Sequence, residues 1–378
     1  MSEITVTIER IEGIEPHPNA DKLEIAKVAG TQTIILKDQF KVGDLVVYFP
    51  PDILIPGEVS EKLGVQKYLK TALYSGLRVP CRVAATRLRG VPSYGFAQPL
   101  STLGTVNLSK IHPGMDVTEL FRGLKYEPPV RVGRSYGGGT GEVWGGLASS
   151  PIKFHEYTDI QHYRKYRYLL LPGQMVRVTE KVHGTNSRVG LLKVDNEWQF
   201  YAGSHHTARK KIDPEGRESV YWHPLALEGV LQLLTDLCDD ANGDPTNDVI
   251  FFGELYGPGV QDLDYGIPAG DIGWRLFDIS VNGRYLNWGL VRFYCSQYGV
   301  ETVPLLYEGP FAPELVDELT YGPTNVTATE NIKSQFKGRE GIVITPLEET
   351  ACCIGRLILK SVSADYLDRK GAEDNGDV

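Results

Sequence analysis

Lys181 is the residue of this sequence with the strongest case for covalent chemistry. It lies in the segment 179–186, TEKVHGTN, between β-branched residues and a His183-Gly184 turn. A lysine amine is a poor nucleophile while it is protonated, and partial burial or a neighbouring cation lowers its pKa and exposes the lone pair. Gly184 lets the backbone turn closely against a bound phosphate or nucleoside, and Asn186 offers an amide donor and acceptor. A surface lysine before an ordinary turn fits the segment alone equally well.

Ionisable residues also stand at the ends of other apolar segments that predict buried strands. These residues are Glu254, Asp278, Glu340 and Lys360. Because buried charges are costly unless paired, internal ion pairing is one explanation for them. The other is a cleft for a charged ligand with a divalent metal, in which the carboxylates would hold Mg²⁺ or its waters. The lysines would then face phosphates, and Phe277 beside Asp278 would lie against a purine.

Such a cleft would support nucleotidyl transfer. In-line attack on the α-phosphate of a nucleotide needs a nucleophile, a metal ion and a second cation. The amine of Lys181 would displace pyrophosphate and form a phosphoramide. The charge of the metal ion would also favour the deprotonated amine.

Composition limits the other classes of function. The chain has 378 residues and 42% hydrophobic content, so roughly two or three globular domains are expected. Its net charge is −9, so any nucleic-acid site must be a local basic patch. The five cysteines include no C-x-x-C pair, which argues against a disulfide framework or a zinc site. The sequence shows neither a signal-peptide pattern nor a membrane-length apolar run, so we expect a cytoplasmic protein without membrane contact.

The first predicted domain, residues 1–125, consists of short strands separated by turns. Prolines within 14–21 predict an extended loop, and 89–92 is predicted to separate a final pair of strands. The apolar and β-branched runs predict strands at 4–10, 23–28, 31–36, 45–49, 82–88 and 94–99. This spacing favours a small closed or nearly closed barrel of the OB type.

Basic residues are the candidate nucleic-acid contacts. In the first domain the candidates are Arg78, Arg82, Arg87 and Arg89. Tyr74 and Tyr94 lie near them in the sequence. Lys210 and Lys211 lie in the densest basic run of the chain and join them as candidates. Basic groups interleaved with aromatic residues suit contact with a nucleic-acid backbone and base stacking. A solvated strand face is the alternative for the arginines.

A connector and a second domain follow. Residues 126–150 are rich in Gly and Pro and predict a flexible linker, and the glycines 137–139 lack the Lys-Ser/Thr of a P-loop. Residues 151–378 predict an antiparallel α+β domain with helices at 224–237 and 287–298 and a helix or loop at 160–170. Its predicted strands are 174–181, 190–194, 197–202, 249–257, 275–280, 338–344 and 355–362.

The charged strand ends resemble, in order, the motifs of ATP-dependent RNA ligases of the covalent nucleotidyltransferase superfamily, similar to phage T4 RNA ligase 2. The matching segments are KVHGTN at 181–186, FGELYG at 252–257, FDI at 277–279, EGIV at 340–343 and LKS at 359–361. The N-terminal barrel is similar to that of the branch with an OB domain before the transferase domain, as in the Deinococcus enzyme. The resemblance implies an OB-type β-barrel followed by an antiparallel α+β nucleotidyltransferase domain.

The resemblance also implies roles for individual residues. Lys181 would accept AMP from ATP, Glu254 would contact the ribose, and Phe277 would stack on adenine. Glu340 would serve the metal ion together with Glu254, and Lys360 would contact the α-phosphate. The remaining nucleotide contacts would come from Glu180, Val182, His183, Gly184, Asn186, Arg209 and Asp278.

Two positions depart from the family pattern. Ile358 stands where the fifth motif often has its first lysine, which leaves open what supports the phosphate beside Lys360. His205 stands where an arginine is usual, and both Arg209 and Lys210 are candidates to take its place.

The resemblance implies an ATP-dependent RNA ligase that seals a 3′-hydroxyl to a 5′-phosphate through lysyl-AMP and an adenylylated 5′ end. Its substrates would be RNA ends, with a nicked duplex as the expected form, and no stable protein partner is expected. The alternatives are a DNA nick ligase or guanylyltransferase of the same superfamily, or a catalytically inactive RNA-binding protein. Only a short acidic tail follows Lys360, where DNA ligases and capping enzymes place an OB domain, so those two alternatives are disfavoured.

Overall fold

The structure is a computed structural model that describes residues 4–74, 77–104, 110–126, 148, 150–212, 216, 218–258, 260, 261 and 263–367. The described chain forms two compact units. The first unit contains 4–126, the segment Gln161–Arg167 and Leu367, and the second contains 148–160 and Tyr168–Tyr366. Residues 127–147 of the predicted linker and the acidic tail beyond 367 lie outside the described residues. The linker and the domain bounds therefore stay predictions.

Short antiparallel strands build the first unit, with helices α1 (Gly57–Lys62) and α2 (Tyr163–Tyr166). The strands are β1 (Thr7–Pro16), β2 (Leu23–Val28), β3 (Thr31–Leu36), β4 (Leu45–Phe49), β5 (Ile53–Leu54), β6 (Lys70–Tyr74), β7 (Leu77–Arg82), β8 (Thr86–Leu88), β9 (Val91–Ser93), β10 (Phe96–Pro99), β11 (Leu124–Lys125) and β12 (Gln161–His162). One sheet has the order β10–β4–β1–β2–β3. The N–H of Tyr94, just before β10, donates to the Gln32 carbonyl of β3 at 2.9 Å, which brings the two edges of this sheet together as a barrel.

The barrel core is built by both faces of its central strands. Val47 and Phe49 of β4 pack in one buried apolar cluster, while Val46 and Tyr48 pack in another. Neighbouring residues of a strand point to opposite faces, so β4 is covered on both sides. The Tyr48 hydroxyl donates to the Tyr94 carbonyl at 2.6 Å, which satisfies a buried polar group.

The hairpin of the first unit differs from the sequence prediction. Residues 82–88 and 94–99 do not pair; instead β8 pairs with β9, and β10 pairs with β4. The turn between β8 and β9 is Arg89-Gly90, with φ of 50° and 86°. Two-residue turns with both φ values positive match the twist of antiparallel strands, so Val91 and Pro92 belong to a strand. The structure also continues β1 to Pro16, where a loop was predicted from residue 14.

The second unit contains two sheets and helices α3 (Glu228–Cys238), α4 (Trp288–Tyr298) and α5 (Glu314–Thr320), with α6 (Ala364–Leu367) at its end. Its strands are β13 (Met175–Lys181), β14 (Thr185–Val194), β15 (Glu197–Ser204), β16 (Val249–Tyr256), β17 (Gly273–Val281), β18 (Arg284–Tyr285), β19 (Leu305–Pro310), β20 (Gly341–Pro346), β21 (Ala351–Cys352), β22 (Gly355–Arg356) and β23 (Leu359–Val362). Short 3₁₀ helices occur at Gln66–Tyr68, Leu100–Leu103 and Thr118–Phe121 in the first unit, and at Arg167–Leu169, Val220–Ala226 and Thr329–Asn331.

One sheet of the second unit has the neighbours β23–β20–β13–β19, and the other has the order β15–β14–β16–β17–β18. The pairs within both are antiparallel, as predicted. Strands β13 and β14 are consecutive in the chain but belong to different sheets. The residues 182–184 between them therefore cross from one sheet to the other, within the motif that contains Lys181.

Most predicted elements of this unit are present, but one predicted helix and one predicted strand are each divided into two elements. The predicted helix 224–237 is a 3₁₀ segment up to Ala226 followed by α3, which begins at Glu228. Pro224 lacks the N–H that a continuous α-helix needs. The predicted strand 355–362 is divided into β22 and β23. None of the helices in the described part of the chain has the length and apolarity needed to span a bilayer.

Candidate active site

Lys181 and Glu340 form the centre of the candidate site. Lys181 is the last residue of β13, and Glu340 directly precedes β20, the neighbouring strand. The Lys181 ammonium donates a hydrogen bond to the Glu340 carboxylate, and the two form an ion pair. The side chain of Lys181 is 17% exposed and that of Glu340 is 0% exposed. The amine is thus held in place by a buried carboxylate while it keeps access to solvent.

Lys360 lies on the same face of this sheet as Lys181. In antiparallel pairs, residues directly opposite each other point to one face. Thr179 lies opposite Val343, and Val343 lies opposite Lys360. Lys181 shares the face of Thr179, two residues along β13. Lys360 is only 4% exposed, and it lies two strands, roughly 10 Å, from β13.

The second sheet contributes Asn186 and Glu254, which lie directly opposite each other on β14 and β16. Gly184 begins this arrangement, since a Cβ there would collide with the Leu255 carbonyl and lie 2.9 Å from the Glu254 Cγ. The glycine is therefore required for the close approach of β16. The carboxamide oxygen of Asn186 is buried and has no hydrogen-bond partner among the described residues. A buried acceptor in this condition is suited to a ligand.

His183 is buried beside Glu340 at the crossing between the two sheets. Its side chain is 2% exposed, and its Nδ1 is 2.8 Å from the Tyr366 hydroxyl and 3.5 Å from a Glu340 oxygen. Its backbone N–H donates to the Tyr265 hydroxyl at 2.8 Å. Burial, with the nearby charges of Glu180 and Glu340, raises the pKa of Tyr265 well above its usual value, so this hydroxyl stays protonated.

The residues beside Lys181 in sequence point away from solvent. Glu180 is 1% exposed, and its carboxylate accepts hydrogen bonds from the Thr324 hydroxyl at 2.5 Å and the Asn325 N–H at 2.6 Å. Burial raises the pKa of Glu180, although these hydrogen bonds oppose the shift. Val182 is 4% exposed. Both side chains are in contact with the protein interior, so their predicted nucleotide contacts stay predictions.

Asp278 lies in a closed cluster. It is 0% exposed, and its carboxylate accepts hydrogen bonds from Arg177 at 3.3 Å, from Arg356 at 2.7 Å and from the Tyr157 hydroxyl. Burial raises the pKa of Asp278, but the charges of Arg356 and Arg177 outweigh burial and lower it below its usual value. Phe277, the next residue, packs its half-buried ring against Tyr157, with 4.8 Å between ring centroids. The structure therefore separates the roles of these neighbours, with Asp278 engaged internally and Phe277 partly open.

Arg209, in the basic run after β15, and Glu254 both lie near the Tyr221 hydroxyl. Burial raises the pKa of Tyr221, Arg209 opposes the shift and Glu254 adds to it, so both charges are close to this hydroxyl. Arg209 is half-buried, whereas Lys210 is exposed. Burial lowers the pKa of His205 to about 4, so at neutral pH it cannot replace an arginine charge. Arg209 is the better of the two open candidates. Lys211 is exposed and pairs with Glu218 at 3.7 Å.

The arginines of the first unit fall into two kinds. Arg82 pairs at 2.6 Å with Asp52, which is 0% exposed, and its guanidinium lies 3.8 Å from the centre of the Tyr126 ring. Its charge is thus used within the unit. The other three are exposed and are Arg78, Arg87 and Arg89. Of the two tyrosines expected near them, Tyr94 is only 5% exposed and Tyr74 is half-buried, so Tyr94 offers no open ring for stacking.

Glu340 has the properties expected of a divalent-cation ligand. Its Oε2 is buried and has no hydrogen-bond partner among the described residues. Carboxylate oxygens are the donors that Mg²⁺ and Mn²⁺ prefer. A buried carboxylate oxygen without a hydrogen bond is costly, so this oxygen fits a bound cation, and Glu254 on the facing sheet can supply a second carboxylate.

Sequence reasoning missed four residues that hold the site together. They are Tyr265, Thr324, Asn325 and Tyr366. Tyr265 has a φ of 46°, an uncommon conformation for a tyrosine, but the sequence signals it only as a Tyr-Gly turn. The partners of Thr324 and Tyr366 lie 144 and 183 residues away, so no local pattern predicts these contacts.

Comparison with known proteins covers both units. A family model described as RNA ligase matches residues 174–362, and an OB-fold domain model matches residues 5–100. Solved structures of the Naegleria gruberi RNA ligase with PPi, of a variant with ATP and Mn, and of a variant with AMP and Mn are each 23% identical with a TM-score of 0.71. Each alignment covers 97% of this chain and 98% of that chain. No curated protein sequence matches the chain. The predicted order of an OB domain and an antiparallel α+β domain is confirmed.

Proposed function

Because the chain belongs to the RNA ligase family, we propose that it is an ATP-dependent RNA ligase that joins a 3′-hydroxyl to a 5′-phosphate. The observation that carries the proposal is the Lys181–Glu340 ion pair at the crossing between two sheets. Asn186 and Glu254 lie opposite each other in one of these sheets, and Lys360 lies in the other. A solvent-accessible amine, carboxylates and a second cation are the groups that covalent nucleotidyl transfer needs.

In the first step, the Nζ of Lys181 forms a bond to the α-phosphorus of ATP. The bond from that phosphorus to its bridging oxygen breaks, and pyrophosphate leaves with the electron pair. The ammonium loses two protons as the P–NH bond of lysyl-AMP forms. One proton passes to Glu340, which already accepts a hydrogen bond from this amine, and the other passes to solvent along the exposed side of Lys181.

Glu340 and Glu254 would hold Mg²⁺ or Mn²⁺. The bound ion would neutralise charge on the phosphates and favour the unprotonated amine. The Naegleria gruberi structures that contain ATP or AMP together with Mn support this requirement. Lys360, on the same face as Lys181, would contact the α-phosphate.

The nucleotide would lie between the sheets. Phe277 would stack on adenine, and Asp278 would act through Tyr157, against which the Phe277 ring packs. Asn186 would contribute its unpartnered carboxamide oxygen, and Arg209 would provide a cation near Glu254. The crossing 182–184 would provide close backbone contacts, and His183 would orient Glu340. Glu180 would support the site from behind, through Thr324 and Asn325.

In the later steps, AMP passes to a 5′-phosphate of RNA, and a 3′-hydroxyl attacks the activated end and releases AMP. The OB domain, proposed as residues 1–125, would bind the RNA through Arg78, Arg87 and Arg89, while Lys210 and Lys211 would do so beside the active site. We propose a nicked duplex as the substrate and no stable protein partner. All five cysteines are free thiols, which supports the cytoplasm as the compartment.

The test is covalent labelling. The protein is incubated with α-labelled ATP and Mg²⁺, and the expected result is an acid-stable label on the wild type and none on Lys181→Ala. Labelling by GTP in preference to ATP would indicate a guanylyltransferase, and preferential sealing of DNA nicks would indicate a DNA ligase. Tight RNA binding without any label would show that the protein is not an active ligase.

A further inference from the structure

A group of metal-ligating side chains lies in the second unit, apart from the residues given a role in ligation. One ligand atom from each of Glu156, His205 and His206 lies within 4.8 Å of the others. The Nδ1 of His206 is 2.8 Å from a Glu156 oxygen, and the Nε2 of His205 is 3.7 Å from an Asp159 oxygen. The two imidazole rings are perpendicular, at 89°, with centroids 4.3 Å apart.

We propose that Glu156, His205 and His206 form a binding site for a transition-metal ion of the Zn²⁺ type, with Asp159 or water as the fourth ligand. Imidazole nitrogen combined with carboxylate oxygen suits Zn²⁺, Co²⁺ and Ni²⁺, whereas Mg²⁺ prefers oxygen ligands alone. With Asp159 as the fourth ligand, the two carboxylates would balance the charge of a divalent ion. The site is therefore chemically distinct from the carboxylate pair of the ligase centre.

Arg188 organises the two backbone segments that carry these ligands. Its side chain is 1% exposed, its Nε donates to the Ser204 carbonyl at 2.9 Å, and its Nη1 donates to the Phe154 carbonyl. Ser204 directly precedes the two histidines, and Phe154 lies two residues before Glu156. One buried guanidinium thus holds both segments in register, so the ligand side chains start from a preorganised backbone.

The ligand atoms are close to coordination geometry. The Ser204 N–H donates to the Thr207 carbonyl at 2.9 Å, so His205 and His206 sit in a tight turn. Tetrahedral zinc with Zn–N bonds of about 2.1 Å sets ligand atoms roughly 3.4 Å apart, a spacing that side-chain rotation can reach.

The experiment measures Zn²⁺ binding to untagged protein in excess Mg²⁺, by competition with a chromophoric chelator. Co²⁺ serves as a second probe because tetrahedral coordination gives it visible absorption. The wild type is expected to bind one Zn²⁺ at this site. Changes in the outer-shell partners of a metal site typically weaken metal binding by about 10–100-fold. His206→Ala removes a ligand, so its affinity for Zn²⁺ should fall by at least this factor. The matched control His112→Ala, an exposed histidine of the first unit, should bind as the wild type does.

Two further variants separate the outcomes. Glu156→Gln should weaken binding in the same way as His206→Ala, and thermal melting checks that both variants fold. Glu340→Gln should bind Zn²⁺ as the wild type does, because the ligase centre is not involved. Zn²⁺ that binds equally to the wild type, His206→Ala and Glu156→Gln overturns the proposal, as does binding that is lost only in Glu340→Gln.

Discussion

Strand β13 carries two charged clusters on one face, and they differ in how completely the carboxylate of each cluster is hydrogen-bonded. At its end, Lys181 pairs with Glu340, whose Oε2 has no hydrogen-bond partner among the described residues. Four residues earlier, roughly 13 Å away, Arg177 pairs with Asp278, whose two oxygens accept hydrogen bonds from several donors. Lys181 is 17% exposed, whereas Asp278 is 0% exposed.

The difference distinguishes a reactive centre from a structural one. A buried carboxylate is tolerated when donors engage both of its oxygens, and Asp278 meets this condition. Glu340 does not, so its free oxygen is suited to a ligand that arrives later. We infer that the Asp278 cluster fixes the distance between the two sheets and that the Lys181 cluster performs chemistry between them.

The largest expected effect is on the nucleotidyl-transfer activity of the open cluster, which consists of Lys181 and Glu340. Lys181→Arg keeps a cation beside Glu340 but removes the nucleophile, since arginine does not deprotonate in proteins. Labelling by α-labelled ATP should fall below detection, while the melting temperature should change little. A labelled Lys181→Arg protein would show that another residue accepts AMP.

Changes in the closed cluster of Asp278, Arg177 and Arg356 should instead reduce the stability of the fold. Asp278→Ala leaves Arg177 buried without its counter-charge and removes one of the two carboxylates that pair with Arg356, so we expect a loss of about 3–5 kcal/mol in the free energy of unfolding. Urea denaturation measures the loss. The control is Glu197→Ala, an exposed carboxylate of β15, which should change stability by about 0.5 kcal/mol or less. Equal stability of the two variants would contradict the structural role of Asp278.

The pH dependence of stability sharpens the same contrast. The pKa of Asp278 is lower in the folded chain than its usual 3.8, so its ionised form stabilises the fold above that pH. This contribution should disappear as the pH falls through the lower, folded pKa. The unfolding free energy of the wild type should therefore fall more steeply below pH 3.8 than that of Asp278→Ala. Parallel curves would show that the carboxylate is not preferentially ionised in the fold.

The sequence predicts a candidate nucleophile and most strands of this region, but it does not predict which of the two carboxylates is fully hydrogen-bonded. The apolar runs beside Glu254, Asp278 and Glu340 look alike in the sequence. Period-two alternation predicts the face of the sheet to which a side chain points, but not the residue that pairs with it. Asp278 is closed by Arg177 and Arg356, which lie 101 and 78 residues away. The partner of each charge depends on sheet register, and short-range patterns do not encode it.

The first unit repeats the contrast on a smaller scale. Arg82 is paired with the fully buried Asp52, whereas Arg87 is exposed on the β8–β9 hairpin. Arg82→Ala leaves a buried carboxylate without its partner, so we expect a loss of about 1–3 kcal/mol in stability. Arg87→Ala should leave stability unchanged within about 0.5 kcal/mol. Urea denaturation of both variants measures this difference.

The smallest expected effect is on the salt dependence of RNA binding. Here the change of Arg87 should have the larger effect, whereas the change of Arg82 has the larger effect on stability. An arginine that contacts a phosphate of single-stranded RNA contributes about 0.7 to the slope of log affinity against log salt. Arg87→Ala should reduce that slope by this amount, measured by fluorescence anisotropy over a salt series. Arg82→Ala should leave the slope unchanged in the folded protein, because its guanidinium is already neutralised by Asp52. If Arg82→Ala lowers the slope and Arg87→Ala does not, then the buried pair opens on binding, and exposure alone does not identify the arginines that meet RNA.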